Sequence, residues 1–343
     1  MTTSRDVARR AGVSQSTVSR ALSGHPGVTE EIRQRVRDAA RELIYVPNAA
    51  ARAMRTNRSG NIGVVTARLH NPIYPELLHL LGRELRQAEL RMIVWNSDET
   101  DESAAADAAR QGIVDAIIFT SATQASTALY QEIARRVPVV LVNRTVEGWP
   151  CDQVASDNHG GGQAVATYFR AAGRRRIGLL SGPLAPSTIR EREAGFLAGC
   201  AGGPAPATVR VDSFTYRAGA DGMHRLLALA EPPDAVFCAN DVLALGARDA
   251  ARVKGVAVPE KLWLIGYDDI ETASWAAFDL TTVRQPIEVM VRQAVRLLRQ
   301  RLAGDTTTPQ HLCLPSELVI RGSTGGAGVA RSAGKATAEV VTP

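Results

Sequence analysis

No apolar run in the sequence approaches the ~20 residues that a membrane-spanning helix needs. The first 30 residues hold no apolar segment of the kind an export signal requires. The expected compartment is therefore the cytosol, with no membrane partner. Cysteine is scarce: Cys151, Cys200, Cys238 and Cys313 are scattered without a C-x-x-C pair, so neither a metal site nor a redox pair is expected. Cys238, inside AVFCAN, reads as a small buried hydrophobe.

Nucleotide chemistry lacks its signatures as well. No G-x-x-x-x-G-K-[ST] occurs, and the G-x-G matches at Gly160–Gly162 and Gly326–Gly328 never reach the third glycine of a dinucleotide fingerprint. The glycines at 160–162 read instead as a site of close packing. G-x-S-x-G is absent, and the six histidines are scattered without a nucleophile–base set. No cofactor is expected. A nucleotide-dependent enzyme on a Rossmann-like core remains an alternative reading, and a solute-binding receptor is another. Against the receptor stand the missing export segment and the charge distribution.

Aromatics are few, at 5%, but hydrophobic residues make up 45% of the 343, enough for buried sheets in two or three domains. Basic excess is confined to the front of the chain. Residues 1–59 carry eleven arginines, no lysine and five acids, for +6; the remainder is −1, giving +5 overall. Such asymmetry points to a polyanionic partner rather than to a fold.

Helical signals fill that basic segment. Thr3 can cap a first helix, with Asp6 three residues on completing a capping box, and Val7, Ala8 and Ala11 fall on one face. Gly12-Val13 makes the turn, glycine supplying a left-handed position. Ser14 caps a second helix, QSTVSRAL, with Val18, Ala21 and Leu22 inward and Gln15, Ser16, Ser19 and Arg20 outward. Thr29 caps a third, whose stripe is Ile32, Val36, Ala39, Ala40 and Leu43. The set is a helix-turn-helix unit. The outward side chains of the second helix, Thr17 among them, suit base edges in the major groove; Ser14, Thr29 and Tyr45 suit phosphates. Taken alone, the same pattern fits a solvated helical surface. The local charge favours DNA.

Pro47 stops the third helix, and Asn48 then opens AAARAMR, a helical run too short to hold itself in water. The string DVARRAGVSQSTVSRAL…VTEEIRQRVRDAARELIYVPNAAARAM resembles the DNA-binding headpiece of the lactose/galactose repressor family. The resemblance implies that the short run, with Asn48, Ala51 and Met54, is a hinge helix. Two hinge helices of a homodimer would meet in the minor groove of operator DNA and wedge a base step. Met54 stands where the family usually has leucine. Ile44 stands where it usually has glycine or asparagine, and reads as extra packing.

From Asn61 onward, apolar runs alternate with helical patterns: IGVVTA, MIVWN, AIIFTS, VVLVN, RIGLLS, AVFCAN and LWLIGYDD. This predicts parallel sheets covered on both faces, and more strands than one sheet suits. The resemblance extends over 61–322 and implies a periplasmic-binding-protein-like core of two α/β lobes. Lobe 1 would take about 61–158 and 287–317, and lobe 2 about 159–286 and 318–322. The expected organisation is a headpiece at 1–46, a hinge and linker at 47–60, this core, and a Gly/Ala-rich disordered tail at 323–343 without a heptad pattern.

Ligands of open α/β sheets sit beyond the carboxyl ends of strands. Those ends offer Tyr74, Asp157, Thr188, Arg192, Phe214, Asn240 and Asp268. Asp241 and Asp269 read as caps or loop acids, Arg190 as solvated, and Arg174–Arg176 as a helix end. By resemblance, Arg192, Asn240 and Asp268 match effector contacts, and Tyr74 and Phe214 aromatic wall positions. A small-molecule effector, sugar-like by this chemistry, is expected there. The combined expectation is a ligand-responsive DNA-binding transcription regulator.

Overall fold

The computed structural model describes residues 2–46, 58–97 and 103–326. The chain divides into two units, Met1–Ser59 and Gly60–Pro343. In the first, α1 (Ser4–Ala11), α2 (Gln15–Leu22) and α3 (Glu30–Glu42) start where their caps dictate. The Thr3 hydroxyl accepts from the Asp6 N–H and the Asp6 carboxylate accepts from Thr3, a complete capping box. Ser14 accepts from the Thr17 N–H and Thr29 from that of Ile32. Gly12 turns the chain at φ 65°, and Arg35 of α3 donates to the Ala11 carbonyl at 2.5 Å, closing the end of α1. Val7, Val18, Val28 and Val36 are buried between the helices with five alanines. So small a core depends on its caps, each worth about 1 kcal/mol.

Ile44 does not add packing. It is 85% exposed and sits at φ 49°. The chain must turn sharply to bring the Tyr45 N–H back to the Ala40 carbonyl (2.8 Å), a closure that demands a left-handed residue. A β-branched side chain is poorly suited to that conformation. Asn48, Ala51 and Met54 lie outside the described residues.

The second unit holds two six-stranded sheets. Strands β1 (Asn61–Thr66), β2 (Arg91–Asn96), β3 (Ala116–Phe119), β4 (Val139–Val142), β5 (Asp152–Ser156) and β11 (His311–Leu314) form the first, in the order β11-β5-β4-β3-β1-β2. Strands β6 (Ile177–Ser181), β7 (Ala207–Arg210), β8 (Ala235–Cys238), β9 (Trp263–Asp268), β10 (Thr281–Arg284) and β12 (Glu317–Val319) form the second, in the order β12-β10-β9-β8-β6-β7. Each of the seven apolar runs is a strand. All pairings are parallel except β10–β12, where the chain re-enters the second sheet along its edge.

Both sheets are covered on both faces, as parallel sheets must be. On the first, α4 (Ile73–Gln87) and α11 (Ile287–Leu302) share one core. On the other face lie α5 (Ser103–Arg110) and α6 (Thr127–Ala134). On the second sheet, α7 (Asn158–Ala171) and α8 (Ser187–Cys200) cover one face. Helices α9 (Tyr216–Leu227) and α10 (Asp241–Val253) cover the other. Helices α7 and α8 approach closely because both lack side chains at the contact. A Cβ on Gly162 would lie 2.1 Å from the Arg192 carbonyl oxygen, and one on Gly195 would lie 1.9 Å from that of His159.

The chain passes between sheets three times: from β5 into α7, from β10 into α11, and from β11 to β12. Three boundaries differ from expectation. Gly60 already belongs to the core, its N–H donating to Asp115 at 2.7 Å. Glu317 pairs with Arg284 in the second sheet rather than closing lobe 1. Ser323 and Thr324 are not tail: both are fully buried, and Ser323 donates to the Leu264 carbonyl (2.6 Å) while accepting from the Thr281 N–H (2.8 Å).

The strain at Ile44 gives a measurable consequence. Ile44→Asn should stabilise the headpiece by about 1 kcal/mol, because asparagine tolerates the left-handed region. Amide exchange of α1–α3 in the full chain reads this as slower opening; unchanged or faster exchange would show that Ile44 contributes contacts that outweigh its strain.

Candidate functional site

On the headpiece, α2 presents Gln15, Ser16 and Arg20 exposed, and Thr17 and Ser19 partly so. The hydroxyls of Ser14, Ser16 and Thr17 cluster at 2.7–2.8 Å, and Gln15 donates to Ser4 at 2.8 Å. Arg20 has no carboxylate partner among the described residues, unlike Arg10, which pairs with Glu42 at 2.7 Å. Thr29 spends its hydroxyl on the α3 cap, and Tyr45 packs half-buried against the headpiece core. The surface thus carries short polar side chains and one available guanidinium, a set able to reach base edges.

In the second unit both sheets share one strand order. Reading β2-β1-β3-β4-β5 and β7-β6-β8-β9-β10, each reverses direction beside its first strand, the topological position at which ligands bind. A cleft opens there, lined from strand ends of both sheets. Tyr74, Thr188, Arg192, Phe214, Asn240 and Asp268 all line it.

Arg192 is held on every side and 3% exposed. Its Nε donates to Asn158 Oδ1 (2.9 Å), Nη1 to the Ala239 carbonyl (2.8 Å), and Nη2 meets Asp268 Oδ1 at 2.9 Å. The guanidinium stacks over the Tyr267 ring at 3.7 Å. Asp268 is 4% exposed and accepts a second hydrogen bond from Gln285 (2.8 Å). Burial pushes its carboxyl above the ordinary value, and Arg192 and Gln285 oppose that rise. Its backbone sits at φ 117°, a costly conformation for a non-glycine residue that the surrounding bonds hold in place.

These bonds close a ring. Ser156, at the first crossing, donates to Gln285 (2.7 Å), at the second; Gln285 donates to Asp268; Arg192 bridges Asp268 to Asn158; and Asn158 donates back to the Ser156 carbonyl (3.0 Å). Ser316, at the third crossing, donates to the Asp157 carbonyl at 3.1 Å. The cavity floor and the inter-lobe crossings are one hydrogen-bonded structure.

Asp157 is a correction. Its side chain caps α7, accepting from the Gly160 N–H at 2.7 Å, and it does not line the cavity; the next residue, Asn158, is the one joined to Arg192. Asn240 is itself the cap of α10, accepting from Leu243 at 2.9 Å. Asp241 is fully buried and accepts from Thr282 (2.6 Å) and Ile270 (2.9 Å), while Asp269 pairs with Arg284 and Arg321. Arg190 is exposed and donates to the Leu184 and Ala185 carbonyls. The sequence reading missed Arg68, Asn71, Asn143, Arg144 and Gln285 in the lining. Asn143 and Arg144 end the run VVLVN-R, and the strand-end criterion that found Asn240 applies to them equally.

Residues 3–48 match bacterial regulatory proteins of the lacI family, and residues 166–324 match the periplasmic binding protein-like domain. The chain is 32% identical to the HTH-type transcriptional regulator DegA of Bacillus subtilis (strain 168), over 94% of this chain and 98% of that protein. It is 33% identical to the ribose operon repressor of Escherichia coli (strain K12), over 94% of this chain and 100% of that one. The solved Lac repressor dimer bound to operator and the anti-inducer ONPF superimposes with a TM-score of 0.83 at 27% identity, covering 94% of this chain and 99% of that one.

The ion pair predicts a stability asymmetry. Asp268→Ala should cost about 3–5 kcal/mol by leaving Arg192 buried without its counter-charge, and adding Arg192→Met should recover part of that loss. Urea unfolding of the full chain measures both; a single variant as stable as the wild type, or a double variant weaker than the single, would contradict this account.

Proposed function

The chain belongs to the lacI family of bacterial regulatory proteins, and from that premise we propose how it works. It is a ligand-responsive, DNA-binding transcriptional repressor. In the cytoplasm it acts as a homodimer on a pseudo-palindromic operator, each headpiece laying α2 in a major-groove half-site. Gln15, Ser16, Thr17, Ser19 and Arg20 read bases; Ser14, Thr29 and Tyr45 hold phosphates. Asn48, Ala51 and Met54 belong to a hinge that enters the minor groove, where Met54 is the wedge.

One observation carries the DNA reading: the exposed polar face of α2, with an unpaired Arg20, on a segment whose charge is +6. The effector is a small polyhydroxylated molecule in the cleft. Asp268, Asn240 and Thr188 meet its hydroxyls, held by Arg192, and Tyr74 and Phe214 cover its apolar faces. A ribose operon repressor among the relatives supports a sugar-like ligand. That the relatives are transcription regulators supports a protein that works by binding. Because the cavity floor ties the crossings together, a ligand that prefers one lobe angle shifts the population of hinge arrangements and so of DNA affinity.

Arg20 tests the base-reading assignment. Arg20→Ala should cost roughly 1–3 kcal/mol on an operator selected from random duplexes and relax selection at one position, with little change on random DNA. Fluorescence anisotropy at fixed salt separates the cases; equal losses on both duplexes would reduce Arg20 to a phosphate contact.

A further inference from the structure

Three guanidiniums line the cavity, from Arg68, Arg144 and Arg192, against a single carboxylate, that of Asp268. Asp268 is already spent on Arg192. Arg144 differs from Arg192, the other buried arginine among the described residues, and from the partly buried Arg301 and Arg321. It follows β4, is 4% exposed, and has no carboxylate within ion-pair distance among the described residues. Arg192, Arg301 and Arg321 each face one: Asp268 at 2.9 Å, Asp152 at 2.7 Å and Asp269 at 2.7 Å. The contacts Arg144 does make are neutral. Nη1 donates to the Ser121 carbonyl and Nη2 to the Tyr74 hydroxyl, both at 2.5 Å, and its Nε, fully buried, has no hydrogen-bond partner among the described residues.

A buried guanidinium without a counter-charge costs several kcal/mol. Glu191, bonded to the adjacent Thr145, does not relieve it: its carboxylate accepts from Thr145 and Asn158. Asn143, beside Arg144 in the lining, brings an amide rather than a charge. Arg144 is also anchored in place: its carbon centre lies 5.8 Å from the Tyr74 ring, and two of its nitrogens are fixed to the protein. Such a charge, at the wall of the cleft and left unmatched by the protein, is matched by the ligand.

We propose that the effector is an anion, a monosaccharide-sized polyhydroxylated carboxylate or phosphate ester, whose charged group is bound by Arg144 while the Asp268–Arg192 pair takes its hydroxyls. This rests on the cleft being the effector site and adds the class of the effector. It also separates two roles among the arginines. Arg192 is neutralised within the protein and positions Asp268; Arg144 supplies the net charge that the ligand reads.

The test is a matched-pair panel on the full chain, in a buffer free of phosphate and carboxylates. D-gluconate and D-glucuronate, D-glucose 6-phosphate and D-ribose 5-phosphate are compared with D-glucose and D-ribose by thermal shift and calorimetry. At least one anion should bind tenfold or more tightly than its neutral parent, with the sugar acids and the phosphate esters distinguishing carboxylate from phosphate. Arg144→Gln should erase that preference, and Arg144→Lys should keep part of it; melting of each unliganded variant establishes that it folds. If Arg144→Gln does not fold, the wild-type preference alone decides. A panel in which no anion outbinds its neutral parent overturns the proposal, as does a preference that survives Arg144→Gln. Tight binding of a neutral sugar in either case leaves the cleft as the effector site and removes only the charge assignment.

Discussion

The buried pair of Arg192 and Asp268 is the constraint on which the cleft depends. Bringing two charges out of water costs several kcal/mol per ion, and only good geometry with further hydrogen bonds recovers it. Here every polar atom of the guanidinium is used, and Asp268 accepts from both Arg192 and Gln285. The positive φ of Asp268 is part of the same arrangement, a strained backbone held by the bonds its carboxylate makes to Arg192 and Gln285. Specificity in such a site comes less from the pair's strength than from its fixed orientation, which presents an acceptor at one place before any ligand arrives.

The ring through Ser156, Gln285, Asp268, Arg192 and Asn158 gives that fixed orientation a second consequence. Its members come from α8, the end of β9, and the segments at two crossings between lobes. A change in lobe angle must therefore deform the bonds that hold the cavity floor, and a ligand that braces the floor must bias the angle. Gly162 and Gly195 make this mechanically tight, because α7, which starts at the first crossing, lies directly against α8, which carries Arg192. Packed elements of this kind have few intermediate arrangements, so the coupling favours discrete closure states.

What was legible in the sequence was what is local. Thr3, Ser14 and Thr29 announce helix starts because a cap is a contact between residues three apart, and each of those contacts is present. Apolar runs mark β1–β4, β6, β8 and β9 for the same reason, but not β5, β7, β10, β11 or β12. Errors arose where geometry turns on one residue or on distant partners. Asp157 and Asn158 are adjacent, but a cap points along its helix and its neighbour points across it, and only the second meets Arg192. Ser323 and Thr324 belong to a stretch whose composition resembles a tail, yet partners some forty to sixty positions earlier bury them. At Ile44 hydrophobicity suggests packing, whereas the turn after α3 requires a left-handed backbone and leaves the side chain exposed.

Charge is the property that divides labour across this chain. In the headpiece it is exposed, spread over many arginines and opposed by few acids, which suits a polyanion met at a surface where counterions are released. In the core the two signs nearly balance, and most of the buried charges are matched pairwise. Where pairing is complete, as at Arg301 with Asp152, the arginine braces α11 against β5, and Asp152 also accepts from the Gln310 N–H. Where it is incomplete, at Arg144, the protein carries an uncompensated cost inside the cavity. Stability alone would favour removing such a charge, so its presence follows from what the cavity must hold.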